Sequence, residues 1–155
     1  MSGTADLSPT IVETLYCEAL VLADEARAAF DLSGRMTLAS EDEDLARVAL
    51  SCEALRTTTR IMHGIAWLLN HRAYFAGELT AFQLRRNGRL PPSSEEPEDE
   101  PLAALPIGLD ELVDRTKRLY ARIERLDVAW HDRFPGEAGS VHSLHDQLGH
   151  AVASL

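Results

Sequence analysis

The stretch that decides the fold runs from Ser40 to Gly77: SEDEDLARVALSCEALRTTTRIMHGIAWLLNHRAYFAG. It opens on Ser40 with Glu43 three residues later, the spacing of a capping box, and Glu41 and Asp42 add charge that suits the positive end of a helix dipole. A spacing of alternating threes and fours then runs through Leu45, Val48, Cys52, Leu55, Thr59, Met62, Ala66, Leu69, Ala73 and Ala76, and no proline interrupts it. That is a helical seam of roughly 35 residues, about 50 Å long at 1.5 Å per residue. Propensity alone does not sustain such a helix in water, so it must pack along its length.

The flanking segments repeat the pattern. Ser8-Pro9 is a hydroxyl cap followed by the residue best tolerated at the first helical position. Val12, Tyr16, Ala19, Ala23, Ala26 and Phe30 follow at helical spacing, with Leu15 and Leu22 on the same face and Gly34 placed to end the helix. Downstream, Leu109, Leu112, Thr116, Leu119, Ile123, Leu126 and Trp130 form a third seam. Its opposite face carries Asp114, Arg115, Lys117, Arg118, Arg122 and Arg125, and Pro135-Gly136 stops it.

Between the second and third seams, Gly77 to Gly88 holds room for one short helix, with Thr80 and Gln83 as a capping pair and Asn87-Gly88 as its end. The run Pro91 to Pro101 has no apolar residue and cannot repay its ordering entropy, which reads as a solvated linker. The expectation is an all-α chain, a three-helix bundle of long antiparallel helices over residues 1–134. Helices lie at about 9–33, 41–76 and 109–132, the acidic linker at 91–101, and a loose or weakly helical tail at 135–155.

The second seam also bears on assembly. After Arg60, the residues Ile61, Ile65, Leu68 and Phe75 join the seam to cover about half the helix, and Trp67 and Tyr74 widen it. Two partner helices cover two sides, and the remaining cover within the chain is short and polar. A second copy of the chain is therefore expected. Leu55, Met62, Ile65, Trp67, Leu68 and Leu69 are the candidate core or dimer seam.

Composition excludes several functions. The chain has 155 residues, 15 Lys+Arg against 25 Asp+Glu, and a net charge of −10, which argues against nucleic acid as a partner. The N-terminus has no basic region or apolar run of a secretory signal. The most apolar stretch, Ile61 to Leu69, is far short of the roughly 20 residues of a membrane span. The expected location is the cytoplasm. Cys17 and Cys52 fall on apolar faces and read as packing residues.

His142 and His145 lie three apart without other ligands at a strong spacing, so no metal is expected. His63 sits mid-helix, where a phosphotransfer histidine would sit, but it is followed directly by Gly64 rather than by the usual lysine-glycine pair. No phosphate loop, Ser-His-Asp set or carboxylate pair stands out, so no catalysis and no cofactor are expected. Thr57-Thr58-Thr59 between Arg56 and Arg60 is unusual in a helix and reads as a polar belt that fixes register.

Those same residues carry a resemblance. Ala54-Leu55-Arg56-Thr57-Thr58-Thr59-Arg60-Ile61-Met62, then Trp67-Leu68-Leu69 and His71-Arg72-Ala73, resemble the middle helix of the RcdA family, regulators of CtrA degradation in alphaproteobacteria. His71 stands where the family usually has glutamine. Leu15-Tyr16-Cys17-Glu18-Ala19-Leu20 with Ser33-Gly34-Arg35 is similar to the first helix of that family, and Arg118 to Ile123 with Leu126-Asp127 to its third. The resemblance implies a three-helix-bundle homodimer that acts without catalysis as an adaptor. It would help deliver cell-cycle regulators, cargo of the response-regulator type, to the ClpXP protease. Arg115, Arg118 and Arg122, and in the tail Val141, Leu144 and Leu148, are the candidate partner-binding residues.

Overall fold

Ser8 accepts a hydrogen bond on its side-chain oxygen from the backbone N–H of Ile11 and on its carbonyl from Val12, which starts the first helix. The computed structural model describes residues 7–37, 44–93, 106 and 108–133. These form α1 (Pro9–Thr37), α2 (Asp44–Phe75), α3 (Ala81–Asn87) and α4 (Leu109–Asp132), with no strand among the described residues. The helix α1 runs on through Gly34, expected to end it, and stops three residues later. A single glycine costs a helix only about 1 kcal/mol against alanine and does not by itself terminate one. The capping box at Ser40 and Glu43, most of the acidic linker and the tail lie outside the described residues.

The three long helices pack against one another. Val12, Leu15, Ala19, Leu22 and Ala26 of α1 are buried, as are Leu109, Leu112, Thr116, Leu119, Ile123 and Trp130 of α4. Leu126 is half-buried, and Val113, Tyr120 and Asp127 broaden the inner face of α4.

Pairings along the bundle set the helix directions. Arg72 near the end of α2 meets Glu13 near the start of α1 at 2.7 Å, so those two helices are antiparallel. Arg60 of α2 meets Thr116 of α4, Trp67 meets Asp127, and His71 meets Trp130. Both series ascend, so α4 runs parallel to α2. The chain therefore turns back after α2, and Leu90 already lies beside Asp127 of α4.

Gly77 begins that return at φ 79°, a conformation that suits glycine. There the N–H of Glu78 closes onto the Ala73 carbonyl and that of Gly77 onto Tyr74. Thr80 and Gln83 form the capping box of α3, each side chain accepting from the other residue's backbone N–H. Leu84 and Leu90 then anchor the return to the core.

On α2 the buried face is not the predicted seam. Leu50, Glu53, Thr57, Ile61, Gly64, Trp67, Leu68 and His71 point inward. Val48, Leu55, Met62 and Leu69 are 61, 69, 62 and 43% exposed, and Cys52 is exposed with them. The helix carries apolar residues on two opposite faces, and the more regular one faces away from α1 and α4. Several of the polar residues on or beside the inward face have partners. Thr57 donates to Glu53 at 3.3 Å, and Arg60 donates to Thr116 at 3.0 Å. Gly64, buried at the crossing, leaves room for Ile123, whose side chain would stand 3.3 Å from an added Cβ.

Candidate functional site

Three arrangements on this frame are candidates for function, and the first is interior. Trp67 of α2 donates its indole N–H to Asp127 Oδ1 at 2.9 Å, and the backbone N–H of Leu90 approaches Oδ2 at 3.4 Å. His131 Nε2 lies 3.3 Å from the same carboxylate, one helical turn on. Asp127 is 5% exposed. A buried carboxylate needs such donors, and here they come from α2, the crossover and α4 together.

Beside it, His71 stacks on Trp67 with ring centroids 3.8 Å apart and meets the edge of Trp130 at 5.4 Å. Burial, and secondarily the charge of His131, push its pKa down to about 4. The ring is therefore neutral at pH 7, and its Nδ1 has no hydrogen-bond partner among the described residues. Tyr120 donates its hydroxyl to the Pro91 carbonyl, and burial raises the pKa of the phenol, which keeps it a donor. Apart from His71 Nδ1, these groups are engaged with one another. Through Leu90 and Pro91 they staple the crossover to α4.

The second arrangement is the outer stripe of α2. Leu55, Met62 and Leu69, expected in a core or dimer seam, lie together on it with Val48, Cys52, Thr59 and Ala66. Trp67 and Leu68, predicted with them, are on the opposite, buried side, and Ile65 is half-buried against the core. One predicted seam is thus divided between two faces. Burying four large apolar side chains is worth several kcal/mol, so an exposed row of them marks an interaction surface. His63 is exposed at the edge of this stripe. Cys17, like Cys52, is exposed, which overturns the reading of both as packing residues within the chain.

The third is the polar face of α4. Arg115 pairs with Glu25 of α1 at 2.5 Å. Lys117, Arg118, Arg122 and Arg125 are exposed on the side turned from the core. Val141, Leu144 and Leu148 fall outside the described residues. Among the described residues, no group of three His, Cys, Asp or Glu side chains is arranged to hold a metal, and no helix is long and apolar enough to cross a membrane.

Sequence reasoning missed Asp127, Glu53 and His71 as buried groups. Asp127 carried a usable signal, since it interrupts the apolar face of α4 one turn after Ile123.

Comparison with known proteins adds to this geometry. A family described as "Protein of unknown function (DUF1465)" matches residues 3–152. No curated protein matches the chain. Among solved structures, the crystal structure of RcdA from Caulobacter crescentus CB15 matches with a TM-score of 0.58 and 30% sequence identity, over 82% of this chain and 97% of that one.

Proposed function

The chain belongs to the DUF1465 family and is RcdA-like in fold and sequence, and on that premise we propose that it is a non-catalytic adaptor of regulated proteolysis. It binds a cell-cycle regulator as cargo and brings it to the ClpXP protease. The observation that carries the reading is the match to RcdA over nearly all of that protein's length. The mechanism is tethering. Holding cargo near the protease raises its effective concentration without new chemistry, by factors of about 10² to 10⁴ where the geometry permits.

The surfaces suit that work. The polar face of α4 presents Arg118 and Arg122 to solvent for an acidic partner. The outer stripe of α2 supports self-association, and we take the working form in the cytoplasm to be a homodimer. The stripe equally favours a second reading, a chaperone-like bundle that holds another regulatory protein without delivering it.

Reconstituted turnover separates the two. With purified ClpXP and a response-regulator cargo, adding this protein should speed degradation while the protein itself survives. Cargo that binds and is degraded no faster would support the holding reading instead. Cargo that neither binds nor turns over faster would dismiss both.

A further inference from the structure

The side chains of the outer stripe alternate in size. Val48, Leu55, Met62 and Leu69 recur every seven residues, and Cys52, Thr59, Ala66 and Ala73 each follow four residues later. A strict seven-residue repeat stays in line only when two helices wind around one another, because a straight helix lets it drift by about 20° per repeat. The stripe spans Val48 to Ala73, some 38 Å of helix. It lies opposite the face that α1 and α4 use, so no described part of the chain provides the second helix.

We propose that a second copy of the chain supplies it, packing its own α2 antiparallel in one register. That register sets Cys52 against Leu69, Leu55 against Ala66, Thr59 against Met62, and Val48 against Ala73, with the two-fold axis between residues 60 and 61. Each layer then joins one large and one small side chain, as even packing density requires. Parallel pairing would stack large on large and small on small, and overfilled and hollow layers both cost stability.

The flanking charges agree with a like partner. Arg72 is paired with Glu13 and Arg56 lies 3.8 Å from Glu53, both within the chain. From Ala46 to Phe75 the only carboxylate is Glu53, which is buried. The stripe residues themselves carry no charge, as a seam that pairs with its own copy requires. A two-fold contact of this kind also closes on itself and stops at two copies.

This inference rests on the homodimer proposed above and adds its orientation and register. The native cysteines allow a test in the full-length chain under a mild copper-phenanthroline oxidant, which takes two electrons as two thiols lose their protons and join. In the Cys17→Ser variant, antiparallel pairing keeps the two Cys52 residues 17 residues of rise apart, about 25 Å. A disulfide needs Cα atoms about 4.4–6.8 Å apart. That variant should stay uncrosslinked.

Adding Leu69→Cys should convert most of the chain to twice the 17.1 kDa monomer mass. Leu69→Cys with both native cysteines replaced by serine should not crosslink. As a check independent of Leu69, chains lacking Cys17 and Cys52 and carrying Thr59→Cys should crosslink to others carrying Met62→Cys.

Crosslinking of Cys17→Ser by itself would mean a parallel seam, and would overturn the register while sparing the dimer. A dimer by light scattering with none of these crosslinks would place the contact elsewhere. A monomer at micromolar concentration would overturn both the seam and the homodimer.

Discussion

Asp127 accepts hydrogen bonds from Trp67 and Leu90 and lies beside His131, with almost no exposure to water. Asp127→Asn keeps the shape but turns an amide N–H₂ toward one of those donors. We expect a loss of about 1–3 kcal/mol in chemical denaturation, the cost of a buried group left without its partner. His71 makes a pH prediction. Its folded pKa of about 4 lies below the ordinary value of 6.5, so between those values the unfolded chain binds more protons than the folded one. Its contribution is complete above pH 6.5 and is lost as pH falls toward 4, amounting to about 3 kcal/mol. His71→Gln removes the titration. Unfolding free energies of the two proteins, compared from pH 7 to pH 4, should diverge in slope through that window. Parallel curves would show that His71 is free to protonate in the fold.

At the scale of the element, α2 is a helix with two apolar faces, one buried and one exposed. Ile61 is buried and Met62, the next residue, is 62% exposed. Ile61→Ala should cost about 2–5 kcal/mol. Met62→Ala should change monomer stability by under about 0.5 kcal/mol, measured at concentrations below those of self-association. A Met62 buried in the chain's own core would instead lose about 2–5 kcal/mol on the same substitution. On α4, reversing Arg118 and Arg122 to Glu should leave circular-dichroism helicity and the dimer unchanged, because both side chains leave the bundle. If that row docks an acidic partner, cargo delivery should weaken and lose part of its salt sensitivity. Unchanged delivery at every salt concentration would move docking to another surface.

At the scale of the whole molecule, the buried residues among those described all lie between Val12 and Trp130, and the three apolar seams end before Pro135. Deleting residues 137–155 should therefore spare helicity. Delivery should fall if Val141, Leu144 and Leu148 tether a partner, and a loss of helicity would instead make the tail part of the core. Each copy carries a net charge of −10, so two copies repel through solvent even where the seam itself is uncharged. Added salt shortens the Debye length from about 10 Å at 0.1 M to about 3 Å at 1 M, and dimerisation should tighten across that range in sedimentation experiments.

The sequence by itself determined the helices, because a period of three to four residues, Ser8 at one cap, the Thr80–Gln83 pair at another and Gly77 at a turn are local matters. It determined the inward faces of α1 and α4 as well, since each has one apolar side and only one way to hide it. The resemblance at residues 54–73 was legible for the same reason, as an unbroken string. What only the tertiary structure decided was which apolar face of α2 points inward. Both faces satisfy the helical period, and the one that packs inside is the less regular, broken by Glu53, Thr57, Gly64 and His71. Thr57 is acceptable there because it donates to Glu53, Gly64 because Ile123 of α4 packs against it, and His71 because its ring lies between Trp67 and Trp130. The parallel course of α4 beside α2, and the meeting of Trp67 and Leu90 at Asp127, were likewise settled by contacts between residues 37 to 60 positions apart in the chain. A hydrophobic period measures how much surface a helix must hide. It carries no information about which neighbour will hide it.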